Sequence, residues 1–562
     1  MSKRLTLVPA PRLLAMGQGV VNLVSPLVVV CLGNHQELLP TLQGFRQFAA
    51  ERLGLTVEIS ASPIGLEKQP HILVDTNYAE ISHSQGYQLA IGAGEVTIHA
   101  GDAAGAAYGL ATLKQIIAIR GRQLPELSIT DYPDFGRRGV MLDISRGKVP
   151  TMETLYRFVE MLADLKINEF QLYTEHTFAY RQHREVWQNY SPMTGEQILA
   201  LDAFCHDRFI DLVPNQNSFG HLTQWLIHQR YAHMAEAVDG WDTPWGGHND
   251  EPFSLCPLEP SVPGFLGSLY DELLTHFSSR YFNVGCDETF DLGQGRSKEE
   301  VERLGEHRVY MDLLLKIYEM VKGRGKVMQF WGDIIVKAPE YIKELPNDII
   351  ALEWGYEANH PFDERCGHFA KAGIPFYVCP GTSTWNTLVG RTDNALGNLK
   401  SAAEYGLKHG AIGYLNTIWG DRGHQDYQPV TYLPIAYGAA FSWALESNRT
   451  VDAPSYLNEV VFRDRSGKIG QLLYDLGNVY QTVGVTVSNS SIMGRLLHYG
   501  LGHARPIPGL NQAGFDRTAA AIKELALVID QLELGCTDAS LVLRELKNAV
   551  HMLLHSCELG KL

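Results

Sequence analysis

No C-x-x-C pair occurs among the eight cysteines of this chain, which lie scattered at positions 31, 205, 256, 286, 366, 379, 536 and 557. That usage excludes a tight disulfide framework and suits a reducing compartment, with thiols serving as small core residues. None of the 21 histidines forms an H-x-H pair, so the usual start of a metal-dependent barrel hydrolase is missing. Long apolar runs are missing too. The opening "MSKRLTLVPAPRLL" has no extended apolar stretch ahead of a cleavage site, and "SPLVVVCLG" is strand-length, too short to span a bilayer. A cytoplasmic protein without a membrane span is expected. Positive charge is scarce: 47 Lys and Arg against 63 Asp and Glu leave a formal net charge of −16, which argues against a nucleic-acid partner.

What is present suits large packed cores: 45% hydrophobic and 10% aromatic residues over 562 positions, enough for two or three domains. Residues 1–130 read as a small α/β domain. "HILVDT", "YQLAI" and "EVTIHA" are short β-rich runs, and the helix that follows carries Asp102 as its cap and an apolar stripe of Leu110, Leu113, Ile116 and Ile117. "DYPDFGRRG" (131–139) reads as a junction.

From 139 a strand–loop–helix rhythm repeats. The expected strands are 139–145, 169–175, 210–216, 281–288, 326–333, 348–354, 375–381 and 411–421. A helix over 151–167 places Leu155, Phe158, Val159, Leu162 and Leu165 on one face behind a Thr151 cap. Continuous apolar runs mark parallel strands buried on both faces, and eight strand–helix units in this length make a (β/α)8 TIM barrel. An open doubly wound sheet is the competing arrangement, but no G-x-G-x-x-G follows the first strand. The α/β fold class therefore comprises three parts: the N-terminal domain (1–130), the barrel (131–447) and a C-terminal helical region (448–562).

Chemistry in such barrels gathers where strands end. Those ends carry Glu175 and His176, Asn215, Asp287 and Glu288, Trp331 with Asp333, Trp354, and Trp419 with Asp421. Indole faces stack on the C–H faces of a sugar, carboxylates accept hydrogen bonds from its hydroxyls, and an acid pair serves glycosidic cleavage. Each residue has a plainer reading. A lone Trp fits a core, Asp-Glu fits a solvated loop, and His221 in "NSFGHLTQW" fits a satisfied structural histidine. A metal-dependent hydrolase and a sugar-binding barrel without chemistry are the rival functions.

"NVGCDETF" (283–290) resembles the signature of the family 20 glycoside hydrolases, the β-N-acetylhexosaminidases. "FGRRGVMLDISRGKVP" is similar to the family's opening barrel strand, 85–117 to the α/β domain that precedes it, and "YLNTIWGD" to its last strand. The resemblance implies hydrolysis with retention, in which the substrate's 2-acetamido oxygen is the nucleophile. It makes Glu288 the general acid and then base, Asp287 the group that orients the acetamide, and His221 the partner of the acid. Arg138 resembles the arginine that grips the outer sugar hydroxyls, with a salt bridge to Asp143 at the barrel base as its alternative. Trp331, Trp354 and Trp419 would wall the pocket, and Asp421 would take outer hydroxyls where the family usually has Glu.

Two departures stand out. An H-x-x-D stretch normally supplies an Asp behind the histidine; "LYTEHTF" offers Glu175, with His176 as the other choice. The family's tyrosine after the seventh strand is absent from "PGTSTWNTL", where Trp385 and Asn386 stand. The implied partner is a carbohydrate ending in a β-N-acetylhexosamine. No cofactor or metal is implied, and the chain's size is compatible with a homodimer.

Overall fold

The computed structural model describes residues 5–65, 71–500 and 507–562. The first four residues of the opening stretch read above lie outside that range.

Among the described residues the N-terminal part forms a mixed seven-stranded sheet that ends with the strand Gln123–Asp131. Two helices, His35–Leu53 and Ala103–Arg120, pack on it through Leu38, Leu42, Phe45, Leu110, Leu113 and Ile116. The side chain of Asp102 accepts the Gly105 N–H at 2.7 Å and caps the second helix. That helix is buried on nearly every side rather than along one stripe, which its Ala- and Gly-rich composition permits.

Eight parallel strands follow: Arg137–Asp143, Glu169–Tyr173, Asp211–Val213, Tyr281–Asn283, Val327–Trp331, Ile350–Trp354, Phe376–Cys379 and Gly413–Ile418. Their order runs continuously from the third strand round to the fourth, and a parallel bridge between Asn215 and Asn283 brings the two ends together. This is a (β/α)8 barrel. Helix Met152–Asp164 buries Leu155, Phe158, Val159 and Leu162 against it, as their spacing predicts, and Thr151 Oγ1 accepts the Thr154 N–H at 3.3 Å. The barrel interior is partly polar yet internally bonded. Gln171 donates to Gln329 at 2.9 Å, while Asn283 and Asn215 donate to Gln171 at 2.9 and 3.2 Å. Asn215 thus belongs to this interior network.

The base of the barrel docks on the N-terminal sheet through a buried polar knot. Asp131 accepts from Lys166 Nζ at 2.9 Å, Trp443 Nε1 at 2.9 Å and the Tyr87 hydroxyl at 2.8 Å. Arg138 sits here, fully buried, donating to the carbonyls of Lys166 and Phe135 at 2.9 and 2.8 Å and lying over the Trp443 ring. This corrects the expectation for Arg138. It occupies the start of the first strand, and about 3.3 Å of rise per residue carries the working end of the barrel roughly 20 Å away. Its alternative, a salt bridge with Asp143, does not form either: Asp143 stands at the other end of the strand and pairs there with Arg146 at 2.7 Å.

Candidate active site

The fourth strand stops pairing regularly at Asn283, earlier than its apolar run suggests. Beyond it Gly285, Cys286 and Glu288 adopt φ of 70°, 69° and 50°. These left-handed turns break the strand's alternation, so that two consecutive carboxylates reach the same place. Gly285 is required on two grounds: its φ, and an added Cβ that would fall 1.8 Å from Asn217 Oδ1.

His221, on the loop after the third strand, brings Nε2 to 3.3 Å from Asp287 Oδ2 and 3.4 Å from Glu288 Oε2. The loop approaches closely enough that a Cβ on Gly220 would meet the Asp287 carbonyl at 2.6 Å. His221 Nδ1 faces Glu175 at 3.8 Å. Burial pulls the imidazole toward neutrality, but the Asp287 and Glu288 carboxylates outweigh it and hold the His221 pKa well above its usual value. Glu175 accepts from the Tyr173 hydroxyl at 2.9 Å and pairs with Arg146 at 3.1 Å; burial raises its pKa, with Arg146 and His221 opposing. His176 turns away to meet Tyr190 edge-on at 4.3 Å, and burial lowers its pKa to about 4. Of the two choices for the position behind His221, Glu175 is the one that stands there.

These groups open into a cavity of about 380 Å³. Its floor carries Asp287, Glu288, His221 and Asp333; its walls include Trp354, Tyr356, Trp419, Arg146 and Asp421, and Lys337, His360 and Arg365 also line it. Arg146 pairs with Asp143 at 2.7 Å and reaches toward Asp421 at 3.8 Å, its guanidinium lying over the Trp419 ring. Burial raises the Asp421 pKa, and Arg146 works against that rise. Trp331 lies fully buried behind Trp419 at 5.9 Å between ring centroids and does not line the cavity. A wider groove of about 920 Å³ lies among Asn34, Gln85, Arg137 and Asp211, and none of the candidate residues lines it.

Trp385 and Asn386 are not wall residues either. Trp385 Nε1 donates to Asn489 Oδ1 at 2.9 Å, and Asn386 Nδ2 donates to the Asn489 carbonyl at 3.3 Å. Both secure a turn of the C-terminal region, whose Ser488 and Asn489 themselves line the cavity. The phenol in the pocket is Tyr356, two residues past the end of the sixth strand. It stacks on Trp354 at 5.1 Å, and its oxygen accepts from Trp419 Nε1 at 2.7 Å.

Sequence reasoning missed Arg146, Tyr356 and the Ser488–Asn489 turn. For Arg146 a signal existed: it follows the first strand, on the side where barrel chemistry gathers, whereas Arg138 precedes it. Tyr356 also follows a strand end, in "EWGYE". Nothing local marks Asn489. The ligand-capable atoms of His221, Asp287 and Glu288 lie within 4.8 Å of one another, a spacing that the shared imidazole accounts for.

Comparison with known proteins places the two main parts of the chain. The model for "Glycosyl hydrolase family 20, domain 2" matches residues 4–132, and that for "Glycosyl hydrolase family 20, catalytic domain" matches residues 135–386. A beta-hexosaminidase of Porphyromonas gingivalis is 26% identical over 321 residues, covering 51% of this chain and 40% of its own. A beta-hexosaminidase of Akkermansia muciniphila is 27% identical over 228 residues, 36% of this chain and 45% of its own. The chain thus spans under half the length of these curated relatives. In fold it resembles the Flavobacterium johnsoniae chitobiase, with a TM-score of 0.68, 18% identity, and coverage of 99% of this chain and 92% of that one. A Streptomyces plicatus N-acetyl-beta-hexosaminidase gives 0.62, 17% identity, and coverage of 84% and 95%.

Proposed function

The chain belongs to glycosyl hydrolase family 20, and we propose that it is an exo-acting β-N-acetylhexosaminidase releasing terminal β-linked GlcNAc or GalNAc with retention, the substrate's 2-acetamido oxygen acting as nucleophile. The observation that carries this reading is that consecutive acids, Asp287 and Glu288, meet at one imidazole nitrogen on the floor of an aromatic-walled cavity. Two carboxylates so placed serve neighbouring atoms of one sugar rather than its opposite faces.

Glu288, whose side chain is 32% exposed, reaches toward the leaving oxygen as acid and later activates water as base. Asp287, 8% exposed, sits in the drier position suited to orienting the acetamide N–H and offsetting the positive charge of the cyclic intermediate. Because Trp419 donates to the Tyr356 oxygen, the phenol's own proton is free to point at the acetamide oxygen. Tyr356 thereby offers the group that the loop after the seventh strand lacks. Arg146 and Asp421 take the outer hydroxyls, and Trp354 and Trp419 supply faces for stacking. Relatives described as beta-hexosaminidases support the substrate class. The eight cysteines are free thiols, which supports a reducing, cytoplasmic location, and no helix among the described residues is long and apolar enough to cross a membrane.

Turnover of 4-nitrophenyl β-N-acetylglucosaminide and β-N-acetylgalactosaminide tests the reading, with the β-glucoside as control. We expect hydrolysis of the acetamido sugars alone, a β-configured first product by NMR, and inhibition by the matching thiazoline. Binding without turnover would favour the sugar-binding barrel, and equal rates on the glucoside would remove the acetamide from the mechanism.

A further inference from the structure

The cavity floor holds one carboxyl more than the proposed reaction uses. Asp333 lies two residues past the fifth strand, 6% exposed, and its Oδ2 accepts the backbone N–H of Glu288 at 3.3 Å. That N–H belongs to a residue held at φ 50°, a conformation a glutamate adopts only when its surroundings impose it. The Oδ1 atoms of Asp333 and Asp287 are both buried, and neither has a hydrogen-bond partner among the described residues. Buried carboxyl oxygens are costly to leave unbonded, and three charges crowded on one floor are costlier.

We propose that Asp333 is a positioning residue for the acid pair: a third carboxyl, carried in from the fifth strand, that fixes Glu288 through its backbone N–H and faces Asp287 as a hydrogen-bonding group rather than a further charge. The groups around it agree. Asp287, Glu288 and the Cys286 thiol face it from the fourth strand's loop, and the Tyr310 phenol faces it from helix Glu306–Lys322. Lys337, on its own segment, is the nearby cation, and His221 is engaged by the pair itself. Burial, then Asp287, then Glu288 raise the Asp333 pKa to about 8, with Lys337 opposing. A protonated carboxyl both accepts from Glu288 and donates, whereas an ionised one only accepts.

The inference rests on the hexosaminidase reading for its kinetic test. The probe is an aryl N-acetylglucosaminide with a good leaving group, whose departure needs little protonation, so that the loss reports the acetamide step served by Asp287 and the activation of water by Glu288, assayed from pH 5 to 9.5. D333A should lower kcat at least tenfold with KM within about threefold. D333N, which keeps a neutral acceptor and donor, should recover most of that loss. The wild-type profile should inflect near pH 8, and D333N should lack the inflection. Wild-type kcat in D333A, a D333N enzyme as slow as D333A, or an unchanged inflection would each overturn the proposal. Absence of wild-type turnover would strike the hexosaminidase reading instead, and the melting temperature then carries the test. Its decline from pH 5 to 8 should be shallower in D333N, and an equal decline overturns the inference.

Discussion

Asn489, on a turn of the C-terminal helical region, accepts a hydrogen bond from the indole of Trp385 at 2.9 Å across 104 residues of chain. Its own backbone N–H donates to Glu357 at 2.7 Å, and Glu357 is in turn held by Arg391 at 2.8 Å. The pocket wall is therefore completed from outside the barrel. Asn489→Ala should leave the buried indole N–H without a partner, costing about 1–3 kcal/mol. We expect a lower melting temperature and a KM raised several-fold with kcat little changed. An unaltered KM would show that the turn does not contact substrate.

The two arginines that flank the first strand should separate cleanly. Arg146→Ala removes a charge-assisted donor from the cavity, worth about 1.5–3 kcal/mol, so kcat/KM should fall about 10- to 150-fold, and the melting temperature should fall as well because the buried Asp143 loses its cation. Arg138→Met should lower the melting temperature and leave kcat/KM near wild type, because its guanidinium packs on Trp443 and donates to the carbonyls of Lys166 and Phe135, away from the cavity. Steady-state kinetics beside a thermal melt distinguish them.

Glu288→Gln should lose about 10²- to 10⁴-fold on substrates with poor leaving groups and far less on activated aryl glycosides. Asp287→Asn should be impaired on both, since it serves formation of the cyclic intermediate. A leaving-group series on each variant checks the division of labour, and equal losses across the series for Glu288→Gln would remove it from the acid role.

His221 should leave a mark on stability as a function of pH. Its folded pKa is held above the unfolded value of about 6.5, so its contribution is present in full below that pH and is lost as pH rises through the folded value. Melting temperatures of wild type and His221→Gln should differ most near pH 6 and converge as pH rises through the folded value. A gap that widens with pH would mean that the imidazole is neutral in the folded protein.

The Lys166–Asp131 pair is fully buried at 2.9 Å and joins two domains far from the cavity. Lys166→Met strands a carboxylate that keeps three neutral donors, the Tyr87 hydroxyl, the Trp443 indole and the Arg12 backbone N–H, and denaturant unfolding should show a loss of about 3–5 kcal/mol. KM for the folded variant should match wild type.

The chain's local order was enough for the barrel and for most of its floor. Apolar runs separated by amphipathic helices specify parallel strands buried on both faces, and strand ends are local features, so Asp287, Glu288, Trp354, Trp419 and Asp421 could be read directly. His221 was legible through resemblance to a family motif, and Glu175 as a strand-end carboxylate standing where that motif's Asp is missing. What tertiary structure alone decided is which side of the barrel each flanking group faces and what arrives from elsewhere. Arg138 and Arg146 are the same residue type eight positions apart, and only strand direction assigns one to the domain interface and the other to the cavity. The left-handed turns at Cys286 and Glu288 hold because Gly220, Asn217 and Asp333 crowd them from other strands. Asn489 reaches the wall through helix packing, which leaves no local imprint because the energy that places it is shared among residues distant in sequence.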